Sequence, residues 1–582
     1  MTRRRRTALA AALSLLPIGQ PLLLGTLTGT TTATTAVILQ AAPVFAQDVS
    51  AVARIAKAIT VRIEGATQGS GVLVKQEGNR YTVLTAWHVV SGNRPGEEVG
   101  IYTSDGNEHQ LEQGSIQRLG EVDMAVLSFS SGSAYEVANV GDIKKVKHDQ
   151  PIYVAGFPLN NSQNLRYETG EVVANAEVGI DQGYQLLYDN TTVAGMSGGV
   201  LLNSDGDLVG LHGRGERDEQ ASSGELVMKT GVNQGVPITY YNLFASGAPV
   251  VVAKNTATTA DDYLAQAKAS QSRKGREQTV IKLTTQALAL RSSGGGYFLR
   301  AYAKKKLKDY QGAIADYSKA LEINPEDANT FNNRGNAKHG LGDYQGAISD
   351  YTKAIELDPQ HALAYDNRGY SKHDLKDYQA AIADYNKAIE IDPQYAIAYN
   401  NRGTAKDDLK DYQGAIADYN KAIELDPQHA FAFSNRGITK RNLGDTQGAI
   451  ADYNKAIEIN PQNAIAYNNR GLAKSNLGSY QEAIADCNKA IQIDPQYAGA
   501  YNSRGWIKYL QGDFQGALKD ANKALAIAPN DGATLDTRGL AKHALGQDRS
   551  ACKDLKRASS LGYQGTSQYL QSEEGAWCSN MR

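Results

Sequence analysis

The sequence of 582 residues predicts an all-β region followed by an all-α solenoid, because it is too long for one hydrophobic core and its two halves carry different patterns. The C-terminal half has a fixed period, with one proline every 34 residues: Pro325, Pro359, Pro393, Pro427, Pro461, Pro495 and Pro529. Arg-Gly pairs keep the same step, from Arg334-Gly335 to Arg538-Gly539. The N-terminal half instead alternates short Val-, Ile-, Leu- and Tyr-rich runs with Gly, Asn and Asp turns. The period indicates a solenoid of helix pairs, and the short strands indicate a sandwich or barrel.

The first 46 residues have the pattern of an export signal. Arg3 to Arg6 form a positive start, Ala8 to Leu16 an apolar run, and Val44-Phe45-Ala46 a small-residue cleavage pattern. Pro17 ends the apolar run well short of the ~20 residues that a membrane-spanning helix needs. We therefore predict a signal peptide at 1–46, with an uncleaved anchor as the alternative. The mature protein is expected in the periplasm or the medium of a bacterium, without stable membrane insertion.

Residues 48–245 predict the all-β domain. Runs such as Gly71–Val74, Tyr81–Leu84 and Ile152–Ala155 are short, apolar and bounded by turn residues. Residues 246–260 are small and polar, which is typical of a linker. We therefore place the boundary of the domain at 245.

Charge and cysteine content exclude several function classes. The net charge is only −2 and no basic stripe is available for phosphates, so we expect no nucleic-acid partner. The three cysteines, Cys487, Cys552 and Cys578, lie outside the β region and lack metal-ligand spacing. We predict neither a metal nor a cofactor. Cys552 and Cys578 either form a bridge that fixes the C-terminal tail or remain free thiols.

Three motifs place a histidine, an aspartate and a serine in order along the β region. They are Thr85–Val89 with His88, Val122–Val126 with Asp123, and Gly195–Gly199 with Ser197. Hydrolysis of an amide by serine needs a base, a carboxylate that fixes the tautomer of the base, and donors for the oxyanion. Each motif alone is a weak signal, but all three in this order within one β-rich region favour a serine hydrolase.

The surroundings of these residues fit that chemistry. Glycines beside Ser197 allow the N–H groups of Gly195 and Ser197 to point at one spot, as an oxyanion hole requires. Asp123 interrupts an apolar strand, where a carboxylate is costly unless it is hydrogen-bonded. Asp105, in a Ser-Asp-Gly turn, is the weaker candidate for the carboxylate.

On these motifs, residues 55–245 resemble the chymotrypsin-like (trypsin-fold) serine peptidases. The resemblance implies an all-β double barrel with two six-stranded barrels and the site in the cleft between them. It also implies that His88 is the general base, Asp123 its orienter and Ser197 the nucleophile, with the N–H groups of Gly195 and Ser197 as oxyanion hole. Met196 departs from the Asp or Asn that is common at its position, which argues against zymogen activation through a freed N-terminus.

Two further residues match bacterial glutamyl endopeptidases. Thr192 lies five residues before Ser197, and His212 fifteen residues after it. In that family a Thr or Ser and a Gly-x-His at these spacings hold an acidic P1 side chain, which implies cleavage after Glu or Asp. The alternative is that His212 only makes a hydrogen bond inside the barrel. The segment from Gly213 is expected to pair with substrate as an added strand.

The 34-residue units resemble tetratricopeptide (TPR) repeats over residues 294–565. Eight units are predicted to begin at 294, 328, 362, 396, 430, 464, 498 and 532. Each reads as two helices, with an aromatic and a Gly in the first and an Ala-x3-Tyr-x2-Ala stripe in the second. Residues 261–293 look like a degenerate repeat, and residues 566–582 form a C-terminal tail.

Five consecutive repeats carry Asn at one position of the first helix, which lines the concave face in TPR arrays. These are Asn333, Asn367, Asn401, Asn435 and Asn469. Such a ladder predicts a grip on a peptide backbone of a protein partner. The alternative is that the amides bond neighbouring helices, as side-chain amides usually do. Lysines that recur in the same helices, such as Lys338 and Lys372, are expected to be solvated.

Three functions compete. The first is an exported serine endopeptidase whose repeats recruit protein substrates or partners. The second is a catalytically silent peptidase-fold scaffold whose repeats mediate protein–protein interaction. In the third, the repeats bind peptidoglycan or an envelope assembly and peptidase activity is secondary. The complete set of His88, Asp123, Ser197 and the oxyanion glycine favours the first.

Overall fold

The computed structural model describes residues 49–92, 99–112, 114–159, 164–190, 192, 196–214, 232–252, 257–271, 273 and 275–579, with backbone only at 49, 50, 178–181 and 214. The predicted signal peptide and Gly195 lie outside these residues. Within them, no helix is long and apolar enough to cross a membrane.

The N-terminal half forms two antiparallel β-structures preceded by helix α1 (Val49–Ile59). The first has seven strands in the order β5-β4-β1-β2-β3-β7-β6. Its strands are β1 (Thr60–Glu64), β2 (Gln68–Glu77), β3 (Arg80–Thr85), β4 (Gly100–Tyr102), β5 (Glu108–Gln110), β6 (Gln117–Arg118) and β7 (Ala125–Ser130). The resemblance implied a six-stranded barrel here, whereas the described residues form a seven-stranded sheet in which the two-residue edge strand β6 pairs with the start of β7.

The second is a closed six-stranded barrel in the order β10-β13-β12-β11-β8-β9, as expected. Its strands are β8 (Pro151–Gly156), β9 (Arg166–Ile180), β10 (Tyr184–Asp189), β11 (Val200–Leu202), β12 (Leu208–Arg214) and β13 (Asn233–Pro237). Each structure has its own apolar core, and a third cluster joins the two, with Val72, Leu84 and Met124 against Tyr184 and Leu211. That shared cluster fixes the cleft between them.

The C-terminal half is a helical solenoid, so the predicted fold class is confirmed. Helices α2 (Trp87–Val90) and α3 (Thr239–Ala245) belong to the β half, and α4 (Ala260–Gln271) and α5 (Glu277–Leu290) occupy the segment expected to be a degenerate repeat. Eight helix pairs follow between 294 and 560: α6 Gly294–Lys306 and α7 Tyr310–Ile323; α8 Ala328–Gly340 and α9 Tyr344–Leu357; α10 Ala362–Asp374 and α11 Tyr378–Ile391; α12 Ala396–Asp408 and α13 Tyr412–Leu425; α14 Ala430–Asn442 and α15 Thr446–Ile459; α16 Ala464–Asn476 and α17 Tyr480–Ile493; α18 Ala498–Leu510 and α19 Phe514–Ile527; α20 Gly532–Ala544 and α21 Asp548–Ser560. Short helices α22 (Gln564–Gln571) and α23 (Ala576–Ser579) end the chain.

Most of the helix pairs share the same local interactions. An aspartate such as Asp343 caps the second helix by accepting the Gly346 N–H at 2.9 Å. Gly335 lets the helices approach, because a Cβ there would lie 2.6 Å from the Tyr351 ring. The helix ends at Leu357, two residues before the periodic proline.

The expectation that the periodic lysines are solvated is wrong. In each repeat one buried aspartate accepts a bidentate Arg and a Lys; Asp350, for example, lies 2.8 Å from both Arg334 Nη2 and Lys338 Nζ. The equivalent lysines lie 2.7 to 3.0 Å from their aspartates: Lys304, Lys372, Lys406, Lys440, Lys474, Lys508 and Lys542. Arg, Lys and Asp at fixed positions thus form an ion-pair group that joins the two helices of a repeat.

The solenoid continues the core of the second barrel. Asp261 and Asp262 of α4 accept the backbone N–H groups of Asn175 and Glu177 in β9, both at 3.1 Å. Leu264 belongs to the same apolar cluster as strand residues of β9 and β10. The start of the solenoid is therefore packed against the barrel by both apolar and hydrogen-bond contacts.

At the other end, a disulfide joins Cys552 in α21 to Cys578 in α23, with the Cα atoms 5.2 Å apart. Of the two alternatives for these cysteines, the bridge is the one present. Cys487 is a buried free thiol that occupies the core position of Tyr351 in its repeat.

Candidate active site

Strand pairing brings His88 and Asp123 together. Strand β3 pairs with β7 so that Thr85 lies opposite Ala125. Because the pair is antiparallel, the end of β3 and the start of β7 meet at one edge of the sheet. His88 follows β3 in the one-turn helix α2, and Asp123 lies two residues before the first residue of β7, so both side chains reach the cleft.

Both carboxylate oxygens of Asp123 are hydrogen-bonded to His88. Its Oδ2 lies 2.7 Å from His88 Nδ1, and its Oδ1 accepts the His88 backbone N–H at 2.9 Å. The Asp123 side chain is buried, whereas 45 % of the His88 side chain is exposed. A carboxylate facing Nδ1 keeps the proton on that nitrogen, which leaves the Nε2 lone pair available as a base.

Asp123 is held ionised. Burial raises the pKa of Asp123, but the hydrogen bond and the charge of His88, with a hydrogen bond from Tyr184, outweigh burial and bring the pKa below that of an ordinary aspartate. The sequence analysis missed Tyr184, whose hydroxyl donates to Asp123 Oδ2. Tyr184 opens β10, whose first five residues are all buried, so no spacing or motif marked it.

Ser197 sits in a tight turn between β10 and β11. The next residue, Gly198, has φ +82°, and a Cβ there would lie 2.1 Å from the Ser70 carbonyl oxygen, so only glycine fits. The Ser70 N–H donates to the Ser197 carbonyl at 2.8 Å and the Gly198 N–H to the His212 carbonyl at 2.7 Å. These bonds anchor the turn to β2 on one side and to β12 on the other.

The Ser197 hydroxyl donates to the carbonyl oxygen of Gly213 at 3.1 Å. A hydroxyl has a single proton, so in this conformation that proton is not directed at His88. Rotation about χ1 would redirect it. Within the described part of the chain, the Ser197 N–H makes no hydrogen bond, as an oxyanion donor requires. The other predicted donor, Gly195, lies outside the described residues.

His212 is buried on β12 with 1 % of its surface exposed. Its Nδ1 is hydrogen-bonded to the Tyr188 hydroxyl, which is the bond expected by the alternative interpretation of this histidine. Burial lowers the pKa of His212 to about 3, so the ring is neutral at physiological pH. Recognition of an acidic P1 side chain by His212 stays a prediction.

Thr192 is likewise engaged inside the second barrel. Its hydroxyl donates to Asn233 Oδ1 at 2.8 Å, and Asn233 Nδ2 donates to the Asn190 carbonyl at 2.8 Å. Asn233 is fully buried and holds the loop that carries Thr192. The sequence analysis did not single out Asn233, because an Asn at the start of a strand usually reads as a turn residue.

The predicted asparagine ladder bonds neighbouring repeats in three places. Nδ2 of Asn367 donates to Asn332 Oδ1 at 2.9 Å, Asn401 to Asp366 at 3.1 Å, and Asn435 to Asn400 Oδ1 at 3.0 Å, with Asn333 and Asn469 also buried. These are the helix-to-helix bonds of the alternative interpretation, and peptide binding by the asparagines stays a prediction.

The residues that accept these bonds have counterparts farther along the solenoid. At the positions equivalent to Asn332 and Asn400, the later repeats carry Ser434, Asn468 and Asn502. The Oγ of Ser434 and the Oδ1 atoms of Asn468 and Asn502 are buried without a partner among the described residues. At this position the acceptors Asn332, Asp366 and Asn400 of the early repeats are thus paired, whereas those of the later repeats are not paired among the described residues. No group of three or more metal-ligating side chains occurs in the described parts of the chain.

Known protein families match both the β half and the helical half of the chain. Residues 69–211 match the trypsin-like peptidase domain. TPR or tetratricopeptide repeat families match residues 301–342, 328–361, 369–406, 396–429, 418–451, 439–478, 464–497 and 498–531. The chain contains a trypsin-like peptidase domain followed by TPR repeats.

Individual relatives match only one half each. A serine protease Do-like HtrA of Bacillus subtilis (strain 168) is 30 % identical over 151 residues, which are 25 % of this chain and 32 % of the relative. A glutamyl endopeptidase of Staphylococcus epidermidis is 28 % identical over 174 residues, 27 % of this chain and 58 % of the relative. The crystal structure of YrrB, a TPR protein with an unusual peptide-binding site, is 26 % identical with a TM-score of 0.27, covering 34 % of this chain and 97 % of that one. The chain thus spans about a third of the HtrA relative and over half of the endopeptidase.

Proposed function

We propose that this protein is an exported serine endopeptidase in which His88, Asp123 and Ser197 act as the catalytic triad. The observation that carries the proposal is the buried Asp123 carboxylate bonded to the backbone N–H and the ring Nδ1 of the half-exposed His88, beside a serine in a glycine turn. A structural aspartate has no need to fix the tautomer of an exposed imidazole. This arrangement leaves Nε2 as a base facing solvent.

The mechanism follows from these positions. Ser197 leaves its bond to Gly213, and His88 Nε2 takes the hydroxyl proton as the oxygen attacks the scissile carbonyl. Asp123 stabilises the imidazolium that forms, and His88 then delivers the proton to the leaving amine. The N–H groups of Ser197 and Gly195 stabilise the oxyanion, so the reaction needs no metal or cofactor.

Cleavage after Glu is the finer part of the proposal. When the Tyr188 hydroxyl donates to His212 Nδ1, the proton of the neutral ring lies on Nε2, which then donates to a P1 carboxylate. The Thr192 hydroxyl donates to Asn233, so it must rotate away from Asn233 before it can also donate to the P1 carboxylate. A neutral donor predicts a preference for Glu over Gln that is weaker than an ion pair would give.

Export is supported by the C-terminal disulfide as well as by the leader pattern. Disulfides form and persist in oxidising compartments, and Cys552 and Cys578 are paired. Cleavage after Ala46 would start the mature chain at Gln47. N-terminal sequencing of the protein recovered from the periplasm or medium tests this, and an N-terminus at Met1 would contradict it.

The repeats are proposed to hold a protein partner or substrate on their inner helices. Support comes from the match to TPR repeat families, and from the buried oxygens of Ser434, Asn468 and Asn502, which lack a partner among the described residues and would accept peptide N–H groups if the neighbouring side chains moved apart. Replacing Asn468 with Leu removes one such acceptor with little change in size. Weaker retention of a captured partner by this variant is expected, whereas Ser130→Ala on the first sheet serves as a control.

The deciding experiment is peptide-library cleavage by residues 47–582 beside the Ser197→Ala variant. Cleavage after Glu that the variant lacks would support the triad and the His212 pocket together. Cleavage after other residues would retain the triad and remove the pocket. A folded protein without Ser197-dependent cleavage would favour the scaffold function instead, a possibility consistent with the Ser197–Gly213 hydrogen bond.

A further inference from the structure

The second barrel reaches across the cleft to hold Asp123. The turn between β9 and β10 binds its backbone, since the Asp123 N–H donates to the Gln182 carbonyl at 2.8 Å. The strand that follows binds its side chain through the Tyr184 hydroxyl. Gln182 and Gly183 both adopt positive φ, 62° and 85°, which turns the chain sharply enough to present both groups. Asp123 is thus fixed by three elements, only one of which carries His88.

Three donors converge on the carboxylate of Asp123, and they differ in what they can do. Two come from His88, one from its backbone and one from the ring nitrogen that must keep its proton during turnover. The third, from Tyr184, is independent of the histidine and bonds the same oxygen, Oδ2, that faces the ring. This hydrogen bond therefore limits rotation of the carboxylate. It also stabilises part of the negative charge on Oδ2, which weakens the attraction between that oxygen and the imidazolium.

The strand beside Ser197 is shaped to admit this tyrosine. A Cβ on Gly213 would lie 2.1 Å from Cε1 of Tyr184, so the ring occupies the space that any side chain at 213 would need. The carbonyl of the same Gly213 accepts the Ser197 hydroxyl. Tyr184, 1 % exposed, is therefore in contact with the strand that holds the serine and bonded to the carboxylate that holds the histidine.

We propose that Tyr184 is a positioning residue that fixes Asp123 and, through it, sets the pH at which His88 becomes active. The proposal rests on the proposed peptidase function for its catalytic readout. Tyr184 acts through its hydrogen bond to Asp123.

The direction of the effect follows from the charge balance around Asp123. Among the described residues, His88 from α2 and Tyr184 from β10 act on Asp123, and the neutral His212 of β12 faces His88. On neighbouring segments, Arg118 donates to the Val122 carbonyl and Tyr240 adjoins Gly183. The Tyr184 hydroxyl contributes to the lowered pKa of Asp123. Without it the carboxylate binds the imidazolium more tightly, so the pair gives up its proton at higher pH.

The test uses the full chain and Tyr184→Phe, which keeps the ring against Gly213 and removes only the hydroxyl. The rate of Ser197 labelling by a fluorophosphonate probe is measured against pH, since this probe needs no knowledge of the substrate. We expect the acidic limb to move to higher pH by about half a unit to one unit and the plateau rate to fall about tenfold. Tyr167→Phe is the control, because its hydroxyl is buried in the same barrel without a partner among the described residues.

An acidic limb that superimposes on that of the parent protein would overturn the proposal, whatever the plateau rate, because a tyrosine that only packs does not move the midpoint. If Tyr184→Phe does not fold, Gly213→Ala decides instead, since its added carbon displaces Tyr184 and should produce the same shift. If the parent protein shows no Ser197-dependent labelling, the proposed function fails. The low-field proton resonance of the His88–Asp123 hydrogen bond, assigned by its loss in His88→Ala, then tests Tyr184 alone in a Ser197→Ala chain. An unmoved resonance in Tyr184→Phe would refute the positioning role.

Discussion

Replacing Asp123 with Asn tests the triad most directly, because the change preserves size and removes only the charge and two acceptor sites. In one orientation of the amide, its NH2 group faces His88 Nδ1 at the 2.7 Å contact; in the other, it faces the His88 backbone N–H at the 2.9 Å contact. The donor–donor contact with the backbone N–H cannot be relieved, so the first orientation is favoured, and in it the imidazole avoids a donor–donor contact by moving its proton from Nδ1 to Nε2. That tautomer has no lone pair at Nε2 with which to take the serine proton.

The expected loss is large. Removing the tautomer-fixing carboxylate of a serine peptidase lowers kcat about 10⁴-fold, which corresponds to about 5 kcal/mol of transition-state stabilisation. The assay compares kcat/KM, or the rate of fluorophosphonate labelling, in the parent, Asp123→Asn and Asp105→Asn proteins. Asp105 is the matched control, since its carboxylate bonds Thr103, Asn107 and Tyr135 away from the cleft. A folded Asp123→Asn protein within tenfold of the parent, or an equal loss in Asp105→Asn, would refute the reasoning.

Three further predictions concern stability and pH. Gly198→Ala should cost about 1–3 kcal/mol and abolish labelling, because its φ of +82° and the Ser70 carbonyl 2.1 Å from the new Cβ both oppose a side chain; an unchanged Tm would contradict this. Asp350→Ala should cost about 3–5 kcal/mol in chemical denaturation, because it leaves an Arg and a Lys half-buried without their partner, whereas Glu356→Ala in an exposed pair should change stability by less than about 1 kcal/mol. His212 is neutral in the folded protein, because burial lowers its pKa from 6.5 to about 3. Between these pH values the unfolded chain binds one more proton than the folded chain. The free energy of unfolding should therefore fall by up to about 1.4 kcal/mol per pH unit as the pH drops from 6.5 towards 3. His212→Gln should flatten that acid limb in urea titrations, and an equally steep limb in the variant would exclude His212 as its source.

The helical half of the fold was predictable because the residues that determine each helix pair lie within a single repeat. The helix pair is marked within the repeat itself by a glycine such as Gly335, which packs against Tyr351. It is also marked by a proline that recurs every 34 residues. The role of Lys338 was not predictable, because an exposed lysine and one bonded to a buried aspartate have the same spacing. The regular spacing of these lysines was interpreted as a sign that they are solvated. It instead reflects the Arg–Lys–Asp ion-pair group that is present in every repeat.

In the peptidase half, the residues that carry motifs were predictable and those that support them were not. His88 and Asp123 were marked by flanking β runs, and the structure bonds them. Tyr184 and Asn233 act through contacts between segments that lie 61 and 41 residues apart in sequence. Such partners are set by how distant strands and loops pack together, and a single sequence carries no local signal of that packing.

The β9–β10 hairpin contacts both the start of the solenoid and Asp123. Midway along β9, the N–H groups of Asn175 and Glu177 donate to the first turn of α4, and the hairpin turn that follows binds Asp123. A peptidase domain cut off before α4 would leave those two N–H groups unpaired and expose the apolar cluster that Leu264 covers. A solenoid cut at 261 would lose the same contacts from its side. Separation of substrate recruitment from catalysis therefore calls for substitutions on the inner helices of the intact chain, because truncation at the junction disturbs the strand pair that holds Asp123.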